Sequence, residues 1–218
     1  MRSRLFKAWW RRPWLAGWLV CSAILAPILS FRKQSEWTGC YAPAARRIID
    51  GLDLPGAEGW VYPPFFAVPV LPIVWLPTSV GRLAWCMLLV GAVILAVRWL
   101  WNALMLDEPF RMAVKQPLRF VVFVLVLGFT SAGHALVPLS YQSHDPIVFA
   151  LIAGGAWFGA AAFRPLSDCP DPVRERSAGI CFGLAASCKV MPLLFLPVMV
   201  AERRWRACWS MLLTGGIA

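Results

Sequence analysis

Apolar residues in this chain come in long blocks separated by short charged stretches, not at the two- or four-residue intervals of a half-buried strand or a surface helix. The first block, residues 14–30, follows the tail MRSRLFKAWWRRP, which has five basic residues and no acid. Further blocks at 83–106, 119–139 and 146–163 are each long enough to span a hydrocarbon core of about 30 Å as a helix. Arg98, near one end of its block, is placed to snorkel. The block at 65–77 differs: its 13 residues reach only about 20 Å as a helix and contain Pro69 and Pro72, which predicts a short, broken or re-entrant element. Residues 31–62 form the longest polar stretch, and within it YAPAARRII (41–49) predicts a short helix on the membrane surface, ended by Gly51 and Pro55. Two apolar pieces, 178–188 and 191–201, flank Lys189 and predict a hairpin closed by Glu202-Arg203-Arg204-Trp205-Arg206. A last apolar run, 207–218, is cut off by the end of the sequence.

Composition agrees with a polytopic membrane protein: 60% of the 218 residues are hydrophobic and 15% charged, against about 25% charged in a soluble domain. The formal charge of +10 then reads as orientation and not as nucleic-acid binding. Trp14, Trp18 and Pro27, with no small-x-small cleavage site, make the first block an uncleaved span with a cytoplasmic amino terminus. Four of the eleven acids, Glu36, Asp50, Asp53 and Glu58, then fall in an outside loop. A full crossing by 65–77 would put the basic loop 107–119 outside. A re-entrant 65–77 keeps that loop inside together with 164–177 and 203–206, and leaves 31–62, 140–145 and the Lys189 bend outside, so this topology is expected. The whole chain, 1–218, reads as one transmembrane domain: a cytoplasmic tail (1–13), a first span (14–30), an extracytoplasmic loop (31–62) and the remaining helices (63–218).

Chemistry-bearing residues are few, with three Tyr and two His. The seven Cys form no C-x-x-C or Cys/His pattern, so neither a disulfide framework nor a zinc site is expected, and they read as small hydrophobes between helices. P-loop, GxSxG, HExxH and GxGxxG patterns are lacking, which leaves ATP-driven chemistry unsupported. Glu36 is a candidate base or a solvated loop acid, and the solvated reading is the stronger one for Asp50 and Asp53. Lys189 interrupts an apolar stretch where a cation costs about 2.5–3.5 kcal/mol at mid-bilayer, which suits a phosphate contact or a snorkelling hairpin tip. Gln142, His144 and Asp145 stand at an expected helix start. Asp145 is there as a cap, a dipole partner or a substrate contact, and His144 as a proton carrier or a bystander. Tyr41 and Tyr62 are interfacial anchors or sugar-stacking groups. Pro63 and Pro64 fix the chain's re-entry, and His134 faces a helix interior.

Read together, the outside loop carries an acid soon after a span, a Tyr-x-x-Ala-Ala-Arg helix, a glycine turn and then Tyr-Pro-Pro opening an apolar element. The text is Glu36-Trp37-Thr38-Gly39-Cys40-Tyr41-Ala42-Pro43-Ala44-Ala45-Arg46, Gly51, Val61-Tyr62-Pro63-Pro64-Phe65 and Leu76-Pro77. Later come Tyr141-Gln142-Ser143-His144-Asp145-Pro146, and Ala178-Gly179, Gly183-Leu184-Ala185, Lys189, Pro192 and Arg203-Arg204-Trp205-Arg206. From about residue 14 onward this order resembles glycosyltransferase family 87, integral membrane enzymes of the GT-C class. Two departures stand out: Glu36 where the family usually has Asp, and Tyr141 where it has Gly.

The resemblance implies an all-α, polytopic helix bundle of GT-C type, with short or broken helices and an extracytoplasmic loop bearing an amphipathic helix. It implies inverting transfer of a hexose, mannose in the first place, from a polyprenyl-phosphate sugar donor to an extracytoplasmic lipid or glycan acceptor. Glu36 would be the catalytic base and Lys189 a phosphate contact, with Gln142, Asp145, His144, Tyr62 and Tyr41 binding substrate. No cofactor or metal and no nucleic-acid partner is implied. Members are longer, so an amino-terminal part of such an enzyme is expected. The alternatives are a small polytopic transporter or lipid-binding membrane protein, or an inactive family remnant.

Overall fold

The computed structural model describes residues 13–32, 35–54, 67, 70–107, 110, 112, 115–116, 121, 137–162, 171–189 and 191–217. Tyr62, Pro63, Pro64 and His134 lie outside the described residues, as does most of the block at 119–139. The described residues form helices and connecting turns, with no strand among them. In order they are α1 (Pro13–Ser30), a π-helical turn (Trp37–Tyr41) running into α2 (Ala42–Ile49), α3 (Leu71–Val74), α4 (Thr78–Leu104), α5 (Asp145–Ala162), α6 (Pro172–Cys188), a 3-10 turn (Met191–Leu194), α7 (Phe195–Ala201) and α8 (Trp205–Ile217). The fold is an all-α membrane bundle. By length and composition α4 and α5 each suffice to cross a membrane. On α1 the exposed positions Val20, Ile24 and Ile28 lie four residues apart on one face, where a helix facing water would carry polar side chains.

Contacts divide the chain into two compact units. The first comprises Met1–Val61, Ala67–Leu95 and Pro138–Ile147. Here α1 and α4 pack antiparallel. The Trp18 indole nitrogen donates to the Met87 carbonyl at 3.1 Å, and a side chain at Gly91 would collide with that indole, its Cβ lying 2.8 Å from the nitrogen. At the other end of the pair, the Arg82 guanidinium donates to the carbonyl of Arg32, just past α1. The end of α1 and the start of α4 therefore lie together. α3 is one turn long, and it packs so closely on the first turns of α4 that a Cβ on Gly81 would sit 2.9 Å from the Ile73 carbonyl oxygen. α2 ends as the sequence predicts. Gly51 takes the left-handed conformation (φ 68°), with the Leu52 amide bonding back to the Arg47 carbonyl and the Gly51 amide to that of Ile48.

The second unit comprises Tyr62–Phe66, Ala96–Val137 and Val148–Ala218. The loop expected over 164–177 is in part helix. Asp171 caps α6, its carboxylate accepting from the Val173 and Arg174 amides, and Pro172 occupies a first-turn position where its missing N–H costs nothing. The chain reverses at Lys189, returns through 191–201, and reverses again at Glu202–Arg204. The stacked rings of Phe182 and Phe195, with centroids 4.5 Å apart, close the predicted hairpin. α8 then runs parallel to α6, in contact along Gly179 and Gly183. A Cβ on Gly179 would lie 2.2 Å from the Ala207 carbonyl oxygen, and one on Gly183 would lie 2.7 Å from that of Met211. The Ala-Gly-x-x-x-Gly spacing is thus a packing seam. Buried Glu175 ties the starts of the two helices, accepting from the Arg206 amide at 3.2 Å with the Arg206 guanidinium 3.8 Å away.

Candidate active site

The first unit gathers its polar residues where α1 ends and where α4 and α5 begin. Ser35 starts the helix after α1, its hydroxyl accepting the Thr38 amide at 3.2 Å. An α-helix would place Glu36 and Tyr41, five residues apart, about 140° from each other. Between them the backbone widens into a π turn, in which the Ala42 amide reaches the Trp37 carbonyl, and five residues then come about 50° past a full turn. Pro43 supplies the cause. It has no N–H for the Gly39 carbonyl, and its ring crowds that carbonyl. The widening brings the Tyr41 hydroxyl onto the Glu36 carboxylate, to which it is hydrogen-bonded.

The same hydroxyl meets His144 twice, at 2.9 Å from Nδ1 and at 3.2 Å from the backbone amide. Tyr41 and His144 are wholly buried, whereas Glu36 is half-buried. Trp37 and Trp85 stack at 5.4 Å beside them, and the Tyr41 ring meets Trp85 edge-on at 5.5 Å and His144 at 6.0 Å. The Tyr41 ring face is therefore occupied by protein. In this arrangement it serves the carboxylate and does not stack on a sugar.

Gln142 is held on all sides. Its backbone is left-handed (φ 57°), a conformation costly for any residue but glycine. Its amide bonds to the Leu139 carbonyl at 3.1 Å, and its carbonyl accepts the Trp85 indole N–H at 2.9 Å. The side-chain nitrogen donates to the Leu29 carbonyl at 2.7 Å, and the side-chain oxygen accepts from Arg82 Nε at 3.1 Å. With both ends of its carboxamide engaged, Gln142 joins the end of α1 to the start of α4 and sets the loop that presents His144. Arg82 and Trp85 carry this arrangement and escaped the sequence reading. The signal available was an Arg near the start of a long apolar helix, three residues before a Trp.

Asp145 opens α5 half-buried, with its amide on the Ser143 hydroxyl at 3.4 Å, a placement that suits the positive end of the helix dipole. Asp50 and Asp53 are exposed. Lys189 belongs to the second unit, where it is exposed and caps the end of α6 in an extended conformation. Tyr62 lies outside the described residues. Burial, with the charge of Glu36 adding to it, pushes the Cys40 thiol from 9.0 up to about 11, so Cys40 is an inert packing group and not a nucleophile. Among the described residues no group of three or more His, Cys, Asp or Glu side chains is placed to hold a metal ion.

The fold defines an all-α integral membrane protein, with a half-buried carboxylate hydrogen-bonded where its helices end. Residues 60–218 match glycosyltransferase family 87, and the chain belongs to that family. It is a membrane glycosyltransferase. Among curated proteins and solved structures nothing matches the chain.

Proposed function

We propose that the chain transfers a hexose, mannose in the first place, from a polyprenyl-phosphate donor to a lipid or glycan acceptor on the extracytoplasmic side of a bacterial inner membrane, its amino terminus cytoplasmic. One observation carries the assignment of the base: Glu36 is half-buried and its carboxylate is tied to a buried hydroxyl, which is not the state of a solvated loop acid. Glu36 accepts the acceptor's hydroxyl proton as that oxygen attacks the anomeric carbon. The bond from that carbon to the phosphate oxygen breaks, and its electron pair leaves on polyprenyl phosphate. Asp145 and Tyr62 are the proposed pocket residues. Lys189, an exposed cation in an apolar segment, is the proposed contact for the departing phosphate.

The test supplies native membranes containing the full chain with radiolabelled polyprenyl-phosphate mannose. Glu36→Gln lowers label transfer by at least about 100-fold, and Lys189→Ala lowers it by about 10-fold or more. Full activity of the Glu36 variant moves the base elsewhere. Unchanged sugar crossing proteoliposomes, with no labelled product, would replace the transferase reading by a transporter.

A further inference from the structure

We propose that Tyr41 and His144 are positioning residues for the Glu36 base, joined to it in a hydrogen-bonded chain in which His144 carries its hydrogen on Nδ1. The proposal rests on the reading of Glu36 as the base, and it follows from counting donors. A phenol has one hydrogen to give and two lone pairs to receive, while an ionised carboxylate only accepts. Tyr41 must therefore spend its one hydrogen on Glu36. Both contacts from His144, the backbone amide at 3.2 Å and Nδ1 at 2.9 Å, must then be donors to the Tyr41 oxygen. An Nδ1 without hydrogen would set two acceptors against each other in a buried place. The assignment fills every site on the Tyr41 oxygen, so that oxygen cannot turn without breaking a bond.

The chain also links elements distant in sequence. The π turn supplies Glu36 and Tyr41 and the loop before α5 supplies His144, 103 residues after Tyr41. Gln142, two residues before His144, fixes that loop through Arg82, Trp85 and Leu29. Holding one carboxylate oxygen sets the plane of the Glu36 carboxyl group and hence the direction from which an acceptor hydroxyl approaches. Misplacing a base by an ångström costs rate without changing how the donor binds. Tyr41 and His144 thus act on turnover and not on donor affinity.

The experiment measures maximal transfer rate and half-saturating donor concentration in native membranes supplied with polyprenyl-phosphate mannose. Tyr41→Phe keeps the ring and its packing; the expected result is a rate about 10–100-fold lower with half-saturation unchanged within about twofold. His144→Asn, whose carboxamide nitrogen can occupy the place of Nδ1, keeps the rate within about threefold, whereas His144→Gln, which places its nitrogen near Nε2, falls as far as Tyr41→Phe. A purely structural role predicts otherwise: Tyr41→Phe fully active, or Asn and Gln alike at 144. Either result overturns the proposal.

Glu36→Gln is run alongside. If it is inactive while Tyr41→Phe is fully active, the positioning chain alone fails; if it is fully active, the base assignment fails and takes the chain with it. Should the variants at 144 not accumulate, the wild-type protein answers directly. With 15N-labelled histidine and only two histidines in the chain, the nitrogen shifts report the tautomer. Nδ1–H is expected, and a neutral Nε2–H form of His144 overturns the proposal.

Discussion

If Gln142 is a strut and not a sugar ligand, its removal is felt in stability. Its side chain makes two hydrogen bonds inside the first unit, one from the Arg82 guanidinium at 3.1 Å and one to the Leu29 carbonyl at 2.7 Å. A bond to a charged group contributes about 1.5–3 kcal/mol and a neutral one about 0.5–1.5, so Gln142→Ala destabilises by about 2–4 kcal/mol. The Trp85 bond goes to the backbone carbonyl and survives the substitution. Gln142→Gly loses the same two bonds but relieves the left-handed backbone at φ 57°. Set against the extra freedom of the unfolded glycine chain, the relief leaves this variant about 1 kcal/mol better than alanine. The assay is thermal unfolding of the purified chain in detergent, read as loss of a monodisperse peak after heating. The order expected is wild type, then glycine, then alanine. A sugar ligand behaves differently, with both variants unfolding like wild type and only the half-saturating substrate concentration rising. That result would refute the reasoning.

Two further outcomes follow from close packing and from burial. Gly179→Ala must push α6 and α8 about 0.8 Å apart to bring the new Cβ out to the 3.0 Å that real Cβ atoms respect, at a cost of about 1–3 kcal/mol; Gly17→Ala, with nothing within 4 Å, is neutral or gains up to about 1 kcal/mol in the same unfolding assay. Equal stability of the two variants would show that the α6–α8 seam is looser than its geometry. The Cys40 thiol, raised from 9.0 to about 11, is about 0.1% thiolate at pH 8 against about 10% for an unshifted thiol. Maleimide labelling of a variant that keeps only Cys40 is accordingly about 100-fold slower than that of a variant with a single exposed cysteine. Because raising the pH restores thiolate, the rate climbs tenfold per pH unit up to about 11.

The apolar blocks at 14–30 and 146–163 became α1 and α5 to within one residue at each end, because the greasy part of a membrane helix is legible in hydropathy alone. Two other helices begin earlier than their apolar blocks. α4 starts at Thr78, five residues before the block at 83–106, and α6 at Pro172, six before the block at 178–188. In both cases the missing residues are a polar first turn, which hydropathy assigns to a loop. That is where Arg82 and Glu175 lie, one joining α4 to the loop before α5 and the other joining α6 to α8. Polar side chains in such a helix concentrate at its ends because only there do they escape the hydrocarbon. A reading that trims helices to their apolar core therefore discards the residues that position chemistry. Glu36 escaped this loss because it stands in a long polar loop. Its partnership with Tyr41 did not, since i and i+5 face apart on an ordinary helix. The one local cue was Pro43, whose missing N–H and crowding ring widen the turn before it. His144 had no cue at all: its approach to Tyr41 depends on Gln142 being held by α1 and α4 together, a long-range consequence of packing that no local pattern records.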